Sequence, residues 1–282
     1  MNAFERASIA LRHLPGLERA EWLWKRVRPA YDRLLASLAS TRGLERVING
    51  TDAFKLSPQS RWFIADDYEP AVWSRVMREV RAGDRVVVVG ASIGLYALAF
   101  AGRVGAAGHV TAFEPDPQSV SALKANVAVN EWEDRITVIS AAVGAESGQV
   151  PFVAAQGFES RVETRADSRD AVISVPMVAL DSIIRDERVD VLMIDVEGFE
   201  ERVLQGARTI LTSAHRRPRA IVIEVHPLAW AAVGTTSASL LGLLGESGFR
   251  VENMSGEPVA AIGDYGHVIA CANDPRSVSD TQ

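Results

Sequence analysis

The sequence predicts an α/β protein built on an open, mostly parallel sheet with helices on both faces, and three observations carry the prediction. From residue 84 onward, apolar runs of strand length alternate with stretches of helical period. Runs such as "VLMI" are apolar throughout, which suits strands covered on both faces. Glycines and carboxylates gather just after those runs, where an open parallel sheet opens its ligand crevice.

Composition sets the frame. The 282 residues are 48% hydrophobic and 23% charged, enough for one large domain with appendages. A net charge of −6 and the lack of any long basic block argue against a nucleic-acid backbone as the main partner. Cys271 is the only cysteine, which excludes an internal disulfide or a cysteine-based zinc cluster and fits a reducing compartment. No apolar run reaches the roughly 18 to 20 residues of a membrane span, and the first residues lack a secretory apolar stretch, so the expected location is the cytoplasm.

In chain order, residues 1–65 read as an N-terminal helical extension and connector. Trp24, Val27, Tyr31, Leu34, Leu35 and Leu38 recur at helical spacing, with Arg19, Lys25, Arg26, Arg28 and Arg33 among them. Interspersed acids favour an amphipathic lid over a membrane-surface helix, and the exposed aromatic residues offer a surface on which two subunits could pair as a homodimer. The connector reads as short strands followed by a helix from about Glu69.

Residues 66–275 form the main domain. Its strands are "RVVVVGASIG", "HVTAFEPDP", "RITVISAAVG", "VDVLMIDVEG" and "RAIVIEVHP", separated by the helical stretches "GLYALAFAGRVG", "SVSALKANVAVN" and "EERVLQGARTILTSA". A helix near Ser237–Ser247, "FRVENM" and a last strand "HVIACA" follow, and residues 276–282 form a tail. One long charged insertion, with its flap at about 150–175, holds too few apolar residues for a core of its own and reads as a hairpin beside the main sheet.

The strand ends carry the chemistry. Gly90 lets the chain bend after the first strand, and Gly94 lets a ligand approach backbone. "GASIG" lacks the three-glycine pattern that seats a pyrophosphate, which argues against NAD. Glu114, ending the second strand, stands where a carboxylate accepts both hydroxyl protons of a ribose, so a nucleoside cofactor without a pyrophosphate is expected. Asp195 ends the fourth strand and should border the glycine turn. Glu197 would share its side if the extended geometry continues, serving either substrate contact or helix capping, while Glu200 and Glu201 read as first-turn helix acids. Glu224 and His226, two apart on the fifth strand, share a side, and the imidazole suits acceptance of a hydroxyl proton. His13, His109, His215 and His267 have no comparable setting. Asp195, Glu224 and His226 also offer ligands for a divalent metal, although no spacing singles out a metal site.

With "VVVVGASIGLYALAFA", "VTAFEPDPQSVSALKANVAVN", "VPMVALDSII", "VDVLMIDVEGFEERVLQGA" and "IVIEVHP" quoted in order, the chain resembles the FkbM-type methyltransferases over about residues 66–227. The resemblance implies the class I methyltransferase fold, a Rossmann-like seven-stranded sheet whose last strand is antiparallel. It implies S-adenosyl-L-methionine as cofactor and O-methylation of a small-molecule or glycan acceptor. Cofactor contacts are expected from Glu69, Gly90, Ala91, Ser92, Gly94, Leu95, Glu114, Pro115, Ala141 and Asp195, and catalysis from His226, Asp195 and Glu224. Such proteins carry an acid two residues before the first glycine, holding the methionine end of the cofactor. Val88 stands there instead, leaving Glu69 as its candidate replacement. Two other readings stay open: a non-catalytic nucleoside- or partner-binding protein, and an NAD-dependent oxidoreductase.

Overall fold

The computed structural model describes residues 43–60, 65–153, 161–162, 172–185 and 187–273. The expected N-terminal helices, the middle of the flap and the C-terminal tail lie outside them.

The centre is a seven-stranded sheet formed by β3 (Arg85–Val89), β4 (His109–Phe113), β5 (Ile136–Ile139), β10 (Val191–Ile194), β11 (Ala220–Val225), β12 (Phe249–Asn253) and β13 (Gly266–Ala272). Its order is β12-β13-β11-β10-β3-β4-β5, and β13 runs antiparallel to both of its neighbours. The sheet therefore is the mixed seven-stranded sheet expected, with "HVIACA" as its antiparallel member. Alternation along β3 divides the core. Val86 and Val88 face the side that also buries Trp73 and Phe100, while Val87 and Val89 face the side that buries Leu180 and Leu204.

Helices cover both faces. α1 (Pro70–Met77), α2 (Leu95–Val104) and α3 (Pro117–Asn130) join the first cluster. α4 (Leu180–Ile183), α5 (Glu200–Gln205), α6 (Arg208–Thr212), α7 (Pro227–Val233) and α8 (Ser237–Glu246) join the second. "EERVLQGARTILTSA" is thus two helices rather than one. The break falls at Gly206, where an added Cβ would lie 2.0 Å from the carbonyl oxygen of Gly144, so a strand-side loop presses on the helix backbone. Among the described residues no single helix is long and apolar enough to cross a membrane.

Two smaller units flank the sheet. The connector forms a hairpin, β1 (Leu44–Ile48) and β2 (Asp52–Leu56), whose Ile48, Phe54 and Leu56 enter the first cluster. The buried Asn126 of α3 stitches it down, accepting from Ser57 N–H at 2.8 Å and donating to the carbonyl of Ile93 at 2.7 Å. That second bond braces the glycine turn after β3 from behind. The insertion adds a four-stranded sheet, β6 (Ala142–Val143), β9 (Val172–Val178), β7 (Gly148–Val153) and β8 (Arg161–Val162) in that order, with a small cluster of Ala142, Val150, Phe152 and Val175.

Candidate active site

The carboxyl ends of β3, β4, β10 and β11 open into a cavity of about 330 Å³. Its position follows from topology: β3 and β10 pair side by side at the centre, β4 and β11 flank them, and the winding reverses between β3 and β10. Their ends are in intimate contact. Gly90 has φ +81°, and an added Cβ would lie 1.7 Å from the carbonyl oxygen of Asp195, so no other residue fits without parting the two strands.

One end of the cavity is built around Glu114. Its carboxylate is buried and held by two backbone donors, Ser92 N–H at 2.7 Å and Asp116 N–H at 2.8 Å, which fix its orientation toward the cavity. Burial pushes its pKa to about 7, the two N–H donors hold it back, and the Asp116 charge adds to the rise. Ser92 reaches its position with φ +48°, a conformation unusual for a residue with a side chain. Pro115, Ser119 and Ala141 line this end, and Phe152 and Val162 of the second sheet wall it.

The other end holds Asp195, Glu197, Glu224, His226, Tyr68 and Tyr265. The extended geometry does not persist past Asp195. Glu197 at φ +51° and Gly198 at φ +103° turn the chain sharply, and Glu197 nevertheless reaches the cavity, with Oε2 3.5 Å from His226 Nε2. Glu197 does not cap the helix, since the residue at that position is Phe199 and no side chain caps it. His226 follows β11 and begins α7, with Nε2 3.9 Å from Glu224.

Two readings from the sequence need correction here. Glu200 is more than a first-turn acid. Its carboxylate is wholly buried, accepting from Gly198 N–H at 3.0 Å, from His226 Nδ1–H at 2.8 Å and from Trp230 Nε1–H at 2.8 Å. Glu201 does behave as structural, accepting from Gln205 at 3.1 Å and Ser239 at 2.6 Å. His267 does have a comparable setting. It lies opposite Glu224 across β11 and β13, and its Nε2 is 3.3 Å from Glu224 and 3.8 Å from Glu69.

Charge at this end is unevenly shared. Burial and the neighbouring Glu224 and Glu197 push Asp195 well above the usual carboxylate range, against the pull of His226. Burial also works to raise Glu224, but the nearby His267, whose Nε2 lies 3.3 Å away, the hydrogen bond from Tyr265 and the charge of His226 prevail and hold it at about 2. For His226, burial lowers the pKa, and the hydrogen bond to Glu200 with the charges of Glu197, Glu200 and Asp195 outweighs it, lifting the imidazole to about 9. It therefore does not titrate near neutrality, as an isolated histidine would.

Of the ten residues expected to contact a cofactor, six line the cavity: Gly90, Ser92, Glu114, Pro115, Ala141 and Asp195. Three lie off it. Ala91 and Leu95 are buried in the first core cluster, and an added Cβ at Gly94 would strike Leu123 at 2.4 Å, so helix packing alone already requires a glycine there. Glu69 stands beside the cavity, half-exposed next to His267 and following the lining residue Tyr68. Val88 is only 2% exposed and packs in the first core cluster. All three residues expected in catalysis, Asp195, Glu224 and His226, line the cavity. Among the described residues, the group close enough to share one cation is instead Asp195, Glu197 and His226, with ligand-type atoms within 4.8 Å of one another.

Comparison with known proteins adds an independent line. Residues 89–251, more than half of the chain, match the family described as Methyltransferase FkbM domain. No curated protein gives a significant match. Similar solved structures include a SAM-dependent O-methyltransferase from Thermotoga maritima, 17% identical over 73% of this chain and 65% of that chain, with a TM-score of 0.42. A second is methyltransferase FkbM from Methylobacillus flagellatus KT, 18% identical over 76% of this chain and 57% of that chain, TM-score 0.46. A third is Aeropyrum pernix fibrillarin in complex with natively bound S-adenosyl-L-methionine, 15% identical over 72% and 80% of the two chains, TM-score 0.41. The match thus spans less than two thirds of the length of the first two.

Proposed function

Because the chain belongs to the FkbM methyltransferase family, we propose that it transfers a methyl group from S-adenosyl-L-methionine to a hydroxyl of a polar acceptor, a sugar, glycan component or natural product. The observation that carries this reading is the meeting, in one cavity, of an oriented buried carboxylate at Glu114 and an imidazole ringed by acids at His226. The lining suits the cofactor. Glu114 keeps lone pairs for ribose hydroxyls, and apolar Pro115, Phe152 and Val162 suit a purine.

When bound, S-adenosyl-L-methionine supplies an electrophilic methyl group on a sulfonium. Glu114 holds the ribose, and Glu69 takes over the part of the acid that Val88 lacks. Nε2 of His226 accepts the acceptor's hydroxyl proton as the oxygen–methyl bond forms, a step open only to the neutral ring, whose share grows as pH rises toward about 9. Glu197 and Asp195 stabilise the imidazolium that results, and the proton then leaves to water. Orientation of two reactants contributes about 7 to 11 kcal/mol to such reactions. A general base contributes about 10²- to 10⁴-fold. Positioning by the cavity walls therefore dominates the acceleration. Among the described lining residues there is no Lys or Arg. That lining disfavours a nucleic-acid or other polyanionic acceptor.

Val88 favours a second reading, a nucleoside-binding protein without methyl transfer. Calorimetry with S-adenosylmethionine, S-adenosylhomocysteine and NAD separates the readings: the proposal expects the first two to bind and NAD not to. With an acceptor in hand, His226→Ala should lower kcat by about 10²- to 10⁴-fold while S-adenosylhomocysteine affinity is kept. Unchanged turnover in that variant removes His226 from the mechanism.

A further inference from the structure

We infer that Glu200 is the positioning residue of the proton transfer, fixing the tautomer of His226 so that Nε2 presents its lone pair to the acceptor hydroxyl. The inference rests on the methyl-transfer reading and extends it to a residue outside the cavity. Glu200 does not line the cavity, and its side chain is fully enclosed. A buried carboxylate left without donors would cost several kcal/mol, yet this one is satisfied on both oxygens. Gly198 N–H and His226 Nδ1–H share Oε1, and Trp230 Nε1–H takes Oε2. Two of these donors are themselves locked. Gly198 sits in a left-handed turn against Ala229, and Trp230, on α7, is buried in the second core cluster.

The consequence for His226 is chemical. An ionised carboxylate only accepts hydrogen bonds, so Nδ1 must carry the hydrogen and the neutral ring must keep its lone pair on Nε2. Nε2 is the atom that faces Glu197 at 3.5 Å and the cavity. The groups facing this ring are Glu200 from α5, Glu197 from the turn after β10, Asp195 from the end of β10, Glu224 from β11 and Tyr265 before β13, its ring 5.4 Å away. Glu200 is the one that grips Nδ1. In the transfer, the hydroxyl O–H bond breaks as its proton moves to Nε2, the S–CH3 bond breaks with its electron pair going to sulfur, and the O–CH3 bond forms. The products are a methyl ether, a neutral thioether and an imidazolium paired with Glu200.

The test begins without donor or acceptor. In the wild-type protein, the imidazole nitrogens of His226 are followed by NMR across pH. Above the midpoint the Nδ1–H tautomer is expected, and an Nε2–H tautomer would overturn the inference whether or not any variant folds. In Glu200→Gln, near-isosteric and able to keep the Gly198 and Trp230 contacts in part, the midpoint should fall by about 1 to 3 pH units. Glu201→Gln on the same turn should leave it in place. The third arm is the pH profile of kcat at saturating donor: the rising limb should move down in pH with the imidazole in Glu200→Gln. A fixed imidazole midpoint refutes the pairing, and a moved midpoint with an unmoved rate profile refutes its part in catalysis. Because the NMR arms need no methyl transfer, failure of the pairing and failure of the methyltransferase reading are told apart.

Discussion

Glu114 shows how a single side chain carries both a function and its pH dependence. Its pKa of about 7 arises mainly from burial. Hydroxyl donors such as a ribose diol prefer the ionised form, so binding drives the proton off. Affinity for S-adenosylhomocysteine should accordingly rise with pH up to about 7 and then level, and calorimetry from pH 5.5 to 8.5 checks this. Glu114→Gln should flatten the dependence and weaken binding by about 10- to 100-fold, the worth of a hydrogen bond to a charged group. This residue was legible because an acid ending the second strand of such a sheet has few other reasons to be there. Glu200 was not. An acid in a first helical turn is ordinarily satisfied by the helix itself, and its partner His226 lies 26 positions away. His267 escaped notice for the same reason, since nothing local announces that β13 sets it opposite Glu224.

At the level of elements, the apolar runs made β3, β10 and β11 readable, because burial on both faces leaves almost no room for polar alternation, whereas the edge strand β12, with Arg250 exposed and Glu252 half-buried, carries no such run. What local pattern could not reveal were breaks imposed from outside, as where the Gly144 carbonyl meets Gly206 and divides α5 from α6. Glycines accordingly split into two kinds. Gly90 holds two strand ends together, at positive φ and with the Asp195 carbonyl where a Cβ would sit. Gly90→Ala should destabilise the fold by about 3 kcal/mol or more, a loss typical of strained core positions, read as a lowered denaturation midpoint. Gly102 is exposed within α2, and the nearest atom to an added Cβ is on Trp132 at 3.6 Å, ordinary contact. Gly102→Ala should stabilise by roughly 0.5 to 1 kcal/mol through helix propensity. Opposite signs from the same substitution would distinguish a glycine required by close approach from one that is merely tolerated.

For the molecule as a whole, the cavity couples stability to pH from two directions. Glu224 lies at about 2, below its ordinary 4.5, so its contribution is present above 4.5 and lost as pH falls through about 2. His226 lies at about 9, above its ordinary 6.5, so its contribution is complete below 6.5 and lost as pH rises through about 9. His226→Gln should thus cost more stability at pH 6 than at pH 10, as measured by urea unfolding at both. The order of the strands, and hence which ends meet, could be anticipated only through likeness to a known arrangement, because pairing is a long-range property that no window of sequence contains. The place of β13 has one more implication. It enters between β11 and β12 and brings His267 to Glu224. Chains are made from the amino end, so this histidine leaves the ribosome after every other described group around the cavity has emerged. A nascent chain stopped short of residue 266 lacks the imidazole beside Glu224, and so completes the surroundings of that carboxylate only in the closing moments of its own synthesis.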